Sequence, residues 1–331
     1  MSTPESDPEV DQFPEMLPPV EPPSAGFIIQ LFLIPALIVL AIVGVWLFVN
    51  RLARSEQDWR ALVADVQSPH EHLRWRGAFG LAQMLQADQE IRSGVPQLTT
   101  NPEVAQQLAD LLRSELKKGS QEADDLKQQA FLARTLGLFQ LPDAVLPTLR
   151  VALEPEHDRE VRKNALGAIA VIAGRQAEAG RPLEQPELVA QLVTVSTESD
   201  PLIRQMAAFD LGLFPSEKSK RRLEALLEDG DLSTQANAAV GLARQDSTAG
   251  LPVLEKILKS ADERFEPKSD AEFAHFLALK NSVHALEILA PKLDPAEREA
   301  VLPLLSPVAK NHRDPKIRAD AEKALQLLGK S

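Results

Sequence analysis

The 331-residue chain has no cysteine and no tyrosine, and only 15 glycines. The missing cysteine excludes disulfides, thiolate metal sites and cysteine nucleophiles, while leaving the redox compartment open. Scarce glycine and a surplus of Leu, Ala, Glu, Gln, Lys and Arg disfavour strands and turns, so the composition predicts an all-α fold. Positive charge is also in deficit: the formal net charge of −12 repels phosphate polymers. No nucleic-acid partner is expected.

One segment lacks charge altogether. Residues 27–49, FIIQLFLIPALIVLAIVGVWLFV, carry Gln30 as their one strongly polar residue. As a helix they reach roughly 34 Å, enough to cross a ~30 Å hydrocarbon core with some tilt. Pro35 is tolerated there, and Trp46 suits an interfacial anchor. A soluble helix would need a polar face, which this stretch lacks. A cleaved signal peptide would need basic residues before the apolar run, but residues 1–26 hold Glu5, Asp7, Glu9, Asp11, Glu15 and Glu21 and no base. Arg51 and Arg54 follow the run, so the expected orientation is single-pass in the cell (inner) membrane, with the tail outside and the C-terminal body cytoplasmic. Seven prolines among the first 26 residues predict a disordered, acidic tail. The expected organisation is a tail at 1–26, a transmembrane helix at 27–49, a juxtamembrane linker at 50–56 and a repeat domain at 57–329.

The rest of the chain repeats itself. Asp158-Arg-Glu-Val161-Arg162, Asp200-Pro-Leu-Ile203-Arg204 and Asp314-Pro-Lys-Ile317-Arg318 each lead into alanines three and six residues beyond the base (Ala165 and Ala168 after Arg162; Ala321 and Ala324 after Arg318), although Asp210 takes the second of these places after Arg204. Asp is a favourable N-cap, and Pro at the following position has a helical φ and forfeits no needed donor. Weaker copies fall at Leu73-Arg74, Leu126-Lys127, Thr234-Gln235 and Leu279-Lys280. The basic or equivalent positions, 74, 127, 162, 204, 235, 280 and 318, recur about every 41 residues, within the ~40–47 of helix-pair repeats. Upstream of each copy lies a second amphipathic stretch: 59–66, 104–116, 145–153, 188–195, 223–227, 251–258 and 300–308. Loops are expected at 86–102, 175–186 and 262–270, and Gly77, Gly80, Gly167, Gly212 and Gly241 are placed for close helix packing.

Residues 57–329 resemble the HEAT-repeat family, including the bacterial HEAT-like repeats also found in phycobilin lyases; the most specific elements are Asp-Pro-x-Ile-Arg at 200–204 and 314–318. The resemblance implies a right-handed α-solenoid of about seven helix pairs. It also implies that Asp158, Arg162, Asp200, Arg204, Asp314 and Arg318 are structural, often joining successive repeats through a polar ladder. The first, second and sixth copies depart from the pattern by lacking the capping Asp.

No catalytic, cofactor or metal motif appears, and a non-enzyme is expected. His70, His72, His157, His275, His284 and His312 show no metal-ligand spacing. Asp124-Asp125 and Glu228-Asp229 flank helix boundaries, where capping explains them, and Lys218-Ser-Lys220-Arg221-Arg222 reads as a solvated helix start. Helical phase places positions 163 and 167 opposite the buried face of their helix. The same phase yields Trp75 and Phe79, Gln128 and Leu132, Gln205 and Phe209, and Val240 in other copies. Trp75, Phe79, Leu132 and Phe209 are therefore the expected contacts for an unidentified protein partner, with gap-filling between neighbouring helices as the competing role. The expected function is a membrane-anchored, non-catalytic scaffold. Alternatives are an enzyme accessory resembling the phycobilin-lyase HEAT proteins and a subunit assembled into a membrane complex through its apolar helix.

Overall fold

The structure, a computed structural model, describes residues 25–53, 59–90 and 98–330. Most of the expected tail lies outside the described residues, whereas residues 50–53 of the expected linker continue α1. The chain divides into two compact units, Met1–Gln57 and Asp58–Ser331.

In the first unit α1 runs Ala25–Ala53, 29 residues or about 44 Å. Its described side chains, Gly26, Ile29 and the run from Leu33 to Trp46, are all exposed. Among the described residues no helix is long and apolar enough to cross a membrane. The span expected at 27–49 is thus not supported by what is described of α1.

The second unit is a succession of helix pairs, with no strand among the described residues. The pairs are α2 (Trp59–Val66) with α3 (Glu71–Glu90), α4 (Pro102–Lys118) with α5 (Ala123–Leu136), α6 (Pro142–Val151) with α7 (Arg159–Glu178) and α8 (Pro186–Val195) with α9 (Pro201–Leu211). They continue as α10 (Glu217–Leu226) with α11 (Leu232–Arg244), α12 (Leu251–Lys259) with α13 (Asp270–Leu289), and α14 (Pro295–Asn311) with α15 (Pro315–Lys330). From α5 to α15, successive second helices meet along more of their length than successive first helices do, so the two layers curve toward the second helices.

Local chemistry sets the boundaries. Asp158, Asp200, Asp231 and Asp294 cap α7, α9, α11 and α14 through their carboxylates, and Asp294 with Glu297 closes a capping box. Pro occupies the first turn of α4, α6, α8, α9, α12 and α14, where its missing N–H costs nothing. Glycine is required where backbones nearly touch. A Cβ on Gly212 would lie 2.5 Å from the Gly241 Cα, and one on Gly77 would lie 2.5 Å from the Leu62 carbonyl oxygen. Gly167 is different: a Cβ there would meet only the tip of Met206 at 4.0 Å, so the expected close approach is absent at that position.

The apolar spine runs through the repeats as two buried clusters, one from Leu62 to Leu242 and one from Ala236 to Leu328. Their members overlap along α11, which contributes Ala238 and Leu242 to the first and Ala236, Ala239 and Val240 to the second.

Candidate functional site

The repeat-motif residues are held in a polar network along the loop end of the pairs. Arg74, Arg204 and Arg318 each donate to two carbonyls of the turn before their own helix: Ser68 and Pro69, Glu198 and Ser199, His312 and Arg313. Buried Arg162 does the same once, from Nε to the Leu153 carbonyl at 3.2 Å. The first three arginines of the series also reach forward to an acid of the next repeat: Arg74 to Glu115 at 3.9 Å, Arg162 to Glu198, and Arg204 to Asp229 in two bonds of 2.9 and 3.0 Å. Burial opposes ionisation of Asp229. Hydrogen bonds from Arg204 and the Asp231 N–H, with the charges of Arg204 and Arg222, still hold its carboxyl below the usual carboxylate range.

Asp158 and Asp314 cap their helices, accepting from Glu160 N at 2.7 Å and from Lys316 N and Ile317 N at 2.8 and 3.1 Å. Asp200 caps α9 and also accepts from Arg159 of the preceding repeat, whose guanidinium is the main cause of its depressed pKa. The forward links of Arg162 and Arg204 therefore end on the acid that follows the next first helix, whereas a motif Asp is reached from Arg159. Gln129 and Gln235 stand where the arginine does in other copies and donate to Glu115 O and Asp229 O at 3.3 and 2.6 Å.

Of the four expected partner contacts, Phe79 is 56% exposed on α3 and its ring stacks on Phe131 of α5 with centroids 6.0 Å apart. Trp75 is partly buried against the core, its Nε1 enclosed without a hydrogen-bond partner. Phe209 is also partly buried, with the Arg244 guanidinium 4.7 Å from its ring centroid. Leu132 is 0% exposed, which removes it from the set.

The error at Leu132 has a definite cause. Buried positions Gln129, Leu132, Ala133, Thr135 and Leu136 of α5 coincide with Arg162, Ala165, Leu166, Ala168 and Ile169 of α7. The frame of this copy is therefore set by Gln129 rather than Lys127, and Leu132 falls on the core face. The equivalent of Phe209 is Arg134, which is exposed. The repeated Gly-Leu-Phe at 137–139 and 212–214, closing α5 and α9, carries the correct alignment.

Along the second helices α7, α9, α11 and α13 lies an open groove of about 910 Å³. Its apolar lining includes Val171, Phe209, Leu213 and Ile288; its polar and charged lining is Arg175, Glu178, Arg244 and His284. Arg175 donates to the carbonyls of Gly137, Leu138 and Phe139 at 2.6, 3.2 and 3.2 Å, and burial lowers its pKa. Burial likewise lowers Arg244, with Asp210 opposing. Guanidinium groups stay protonated despite such shifts. Arg244 Nη1 and Asp210 Oδ2 are enclosed and have no hydrogen-bond partner. Asp210 is 1% exposed, and burial pushes its carboxyl well above the usual range despite the nearby Arg244 charge. Burial, then the charge of Arg244, lowers the pKa of His284. This cluster escaped sequence reading because its members stand on different helices, tens of residues apart.

Glu154, Glu156 and His157, in the turn between α6 and α7, bring three potential ligand atoms within 4.8 Å, the one such group among the described residues. In the basic run, Arg222 donates to the hydroxyl and carbonyl of Ser196 at 2.7 and 2.8 Å, so it packs rather than projects.

Residues 186–269, from α8 through the loop before α13, match the family described as HEAT repeats. No curated protein matches the chain. Solved structures do. YibA of Escherichia coli is similar at 14% identity over 86% of this chain and 97% of its own, with a TM-score of 0.45. The CpcE–CpcF complex of phycocyanin lyase from Nostoc sp. PCC7120 is similar at 16% identity, 83% and 95% coverage and a TM-score of 0.44. A designed armadillo repeat protein in complex with the peptide (KR)4 is similar at 15% identity, 82% and 100% coverage and a TM-score of 0.42.

Proposed function

We propose that the chain is a membrane-anchored, non-catalytic scaffold: a right-handed solenoid of HEAT-like pairs that binds a protein partner on its second-helix face while the segment at 27–49 fastens it to lipid. The repeat domain then faces the cytoplasm and the acidic tail the opposite side. The observation that carries the reading is where large apolar side chains meet solvent. On α1 Ile29, Leu33, Ile34, Leu37, Ile38, Val39, Leu40, Ile42, Val43, Val45 and Trp46 are all exposed, with no polar face in the run from Leu33 to Trp46. Exposure of this kind is stable in hydrocarbon and unfavourable in water. In the second unit the same class shrinks to Phe79, Val171, Phe273 and Leu327 among the described residues, all four on second helices, α3, α7, α13 and α15. Aromatic anchors on a concave helical surface suit recognition of a partner's helix or strand. Tethering raises the local partner concentration, so modest affinity suffices.

The test places a photoactivatable benzoylphenylalanine at Phe79 or, as a control, at exposed Gln106 on first helix α4, in the full chain in its own membrane. A discrete protein adduct at 79 and none at 106 is expected. Equal labelling at both positions, or no adduct at 79, contradicts the reading.

A further inference from the structure

The groove across α7, α9, α11 and α13 has a chemistry unlike the rest of the chain. The whole sequence is acidic, yet here two guanidinium groups and an imidazole converge around an apolar floor. Among the described residues no carboxylate lies within ion-pair distance, 4.0 Å, of Arg175 or Arg244. Arg175 spends its donors on three backbone carbonyls at the C-terminal end of α5, which leaves Arg244 as the cation open to an occupant. Arg244 rests against the face of Phe209; its Nη1 is enclosed, and its Nε and Nη2 make no hydrogen bond among the described residues. Buried Asp210 attracts Arg244, but burial holds its carboxyl well above the usual range, so it offsets the cation only in part; an arriving carboxylate supplies the rest through charge-assisted hydrogen bonds. Glu178, at the groove margin, is exposed and does not offset the Arg175 charge.

The apolar part is equally specific. Val171 is 51% exposed, and with Phe209 and Ile288 it lines the same groove that Arg244 does. An occupant that satisfies both halves carries a carboxylate within a residue or two of an aromatic or branched side chain. A groove that crosses four successive helices favours an extended chain over a compact molecule.

We infer that this groove is the docking site for an acidic, apolar peptide segment of the partner, with its carboxylate against Arg244 and its apolar side chain between Val171, Phe209 and Ile288. The inference rests on the reading of the second-helix face as a partner surface and adds the chemistry of what binds there.

The experiment uses the full chain in lipid nanodiscs and two fluorescein-labelled octapeptides: one of leucine, phenylalanine and glutamate, and its counterpart with glutamine for every glutamate. Fluorescence anisotropy should show saturable binding of the glutamate peptide and, with one charge-assisted contact at stake, binding about tenfold or more weaker for the glutamine peptide. Arg244→Gln should weaken the glutamate peptide by a similar factor and narrow the gap between the two. Because Arg244 is partly buried, Val171→Glu serves as a second variant at an exposed position. It should fold like the parent and repel the glutamate peptide. Equal binding of the two peptides, no binding of either, or Val171→Glu binding the glutamate peptide as the parent does would each overturn the inference. A persistent adduct at position 79 alongside such a failure would leave the scaffold reading intact; loss of both would end it as well.

Discussion

Helices α5 and α9 occupy equivalent places in the second-helix layer and are held by different chemistry. Helix α9 begins on Asp200, whose carboxylate accepts from Leu202 N at 2.9 Å and Ile203 N at 3.5 Å, and Arg204 then binds Asp229 through two bonds. Helix α5 begins on Glu122, which makes no side-chain cap, and holds Gln129 in the place of the arginine with one bond to Glu115 O. Both end on Gly-Leu-Phe, with the phenylalanines Phe139 and Phe214 fully buried and with a glycine set close to the next second helix. The polar half of the motif varies between the two helices, and the packing half does not. The repeat is specified by which side chains interdigitate, while caps and ion pairs fix its edges.

The largest expected effect tests the packing half. Leu132→Ala should cost about 2–5 kcal/mol in chemical denaturation, whereas Phe79→Ala should stay below about 1 kcal/mol while abolishing partner contact. Similar losses at both positions would put them on the same face and break the comparison. Next in size, Gly212→Ala should cost about 1–3 kcal/mol, because its Cβ would press on the Gly241 backbone and α9 and α11 must separate. An unchanged midpoint would mean the two helices are not so close in solution.

The polar half should respond unequally. Arg204→Ala should cost about 1.5–3 kcal/mol, since it leaves Asp229 half-enclosed without its partner, and Gln129→Ala about 1 kcal/mol or less. Equal costs would show that α5 depends on its polar contacts as much as α9 does.

The smallest effect is one of pH. Asp210 has a raised pKa because it is buried, so the folded chain holds its proton more tightly than the unfolded one. Its contribution is fully present below the unfolded carboxyl pKa of about 4 and is lost as pH rises through the folded value. Asp229, with a lowered pKa, contributes above about 4 and loses that contribution as pH falls. Thermal melts of Asp210→Asn and the parent should therefore coincide near pH 4, with the variant becoming relatively more stable toward pH 8. For Asp229→Asn the deficit against the parent should grow toward pH 8. Parallel melting profiles for all three would contradict both assignments.

The all-helical pairing could be read from the sequence because its signals are local: Asp followed by Pro, apolar residues at helical spacing, and small residues on the same face. The frame of α5 could not be read from the cap because there is none, and taking Lys127 as its base shifted the copy by two residues. The α13 copy shifted by one because its cap, Ser269, stands ten residues ahead of the arginine place instead of four: its buried positions Ala278, Ser282, Val283, Ala285 and Leu286 match Ile203, Ala207, Ala208, Asp210 and Leu211 of α9, so Leu279 rather than Lys280 stands in that place. Phe79 and Phe209 kept their positions because their copies have an arginine in frame. The groove was out of reach altogether, since Arg175, Arg244 and His284 meet only after three helices pack, and nothing in the local pattern marks which cations will share a groove.

The central claim is that an apolar helix holds the repeat body at a membrane, and alkaline carbonate extraction of the intact chain from its own cells tests it most directly. The account predicts that the protein stays with the membrane pellet and moves to the supernatant when Ile38 and Ile42 are both replaced by arginine. Intact chain released by carbonate, or pellet retention unaltered by the two arginines, would contradict it.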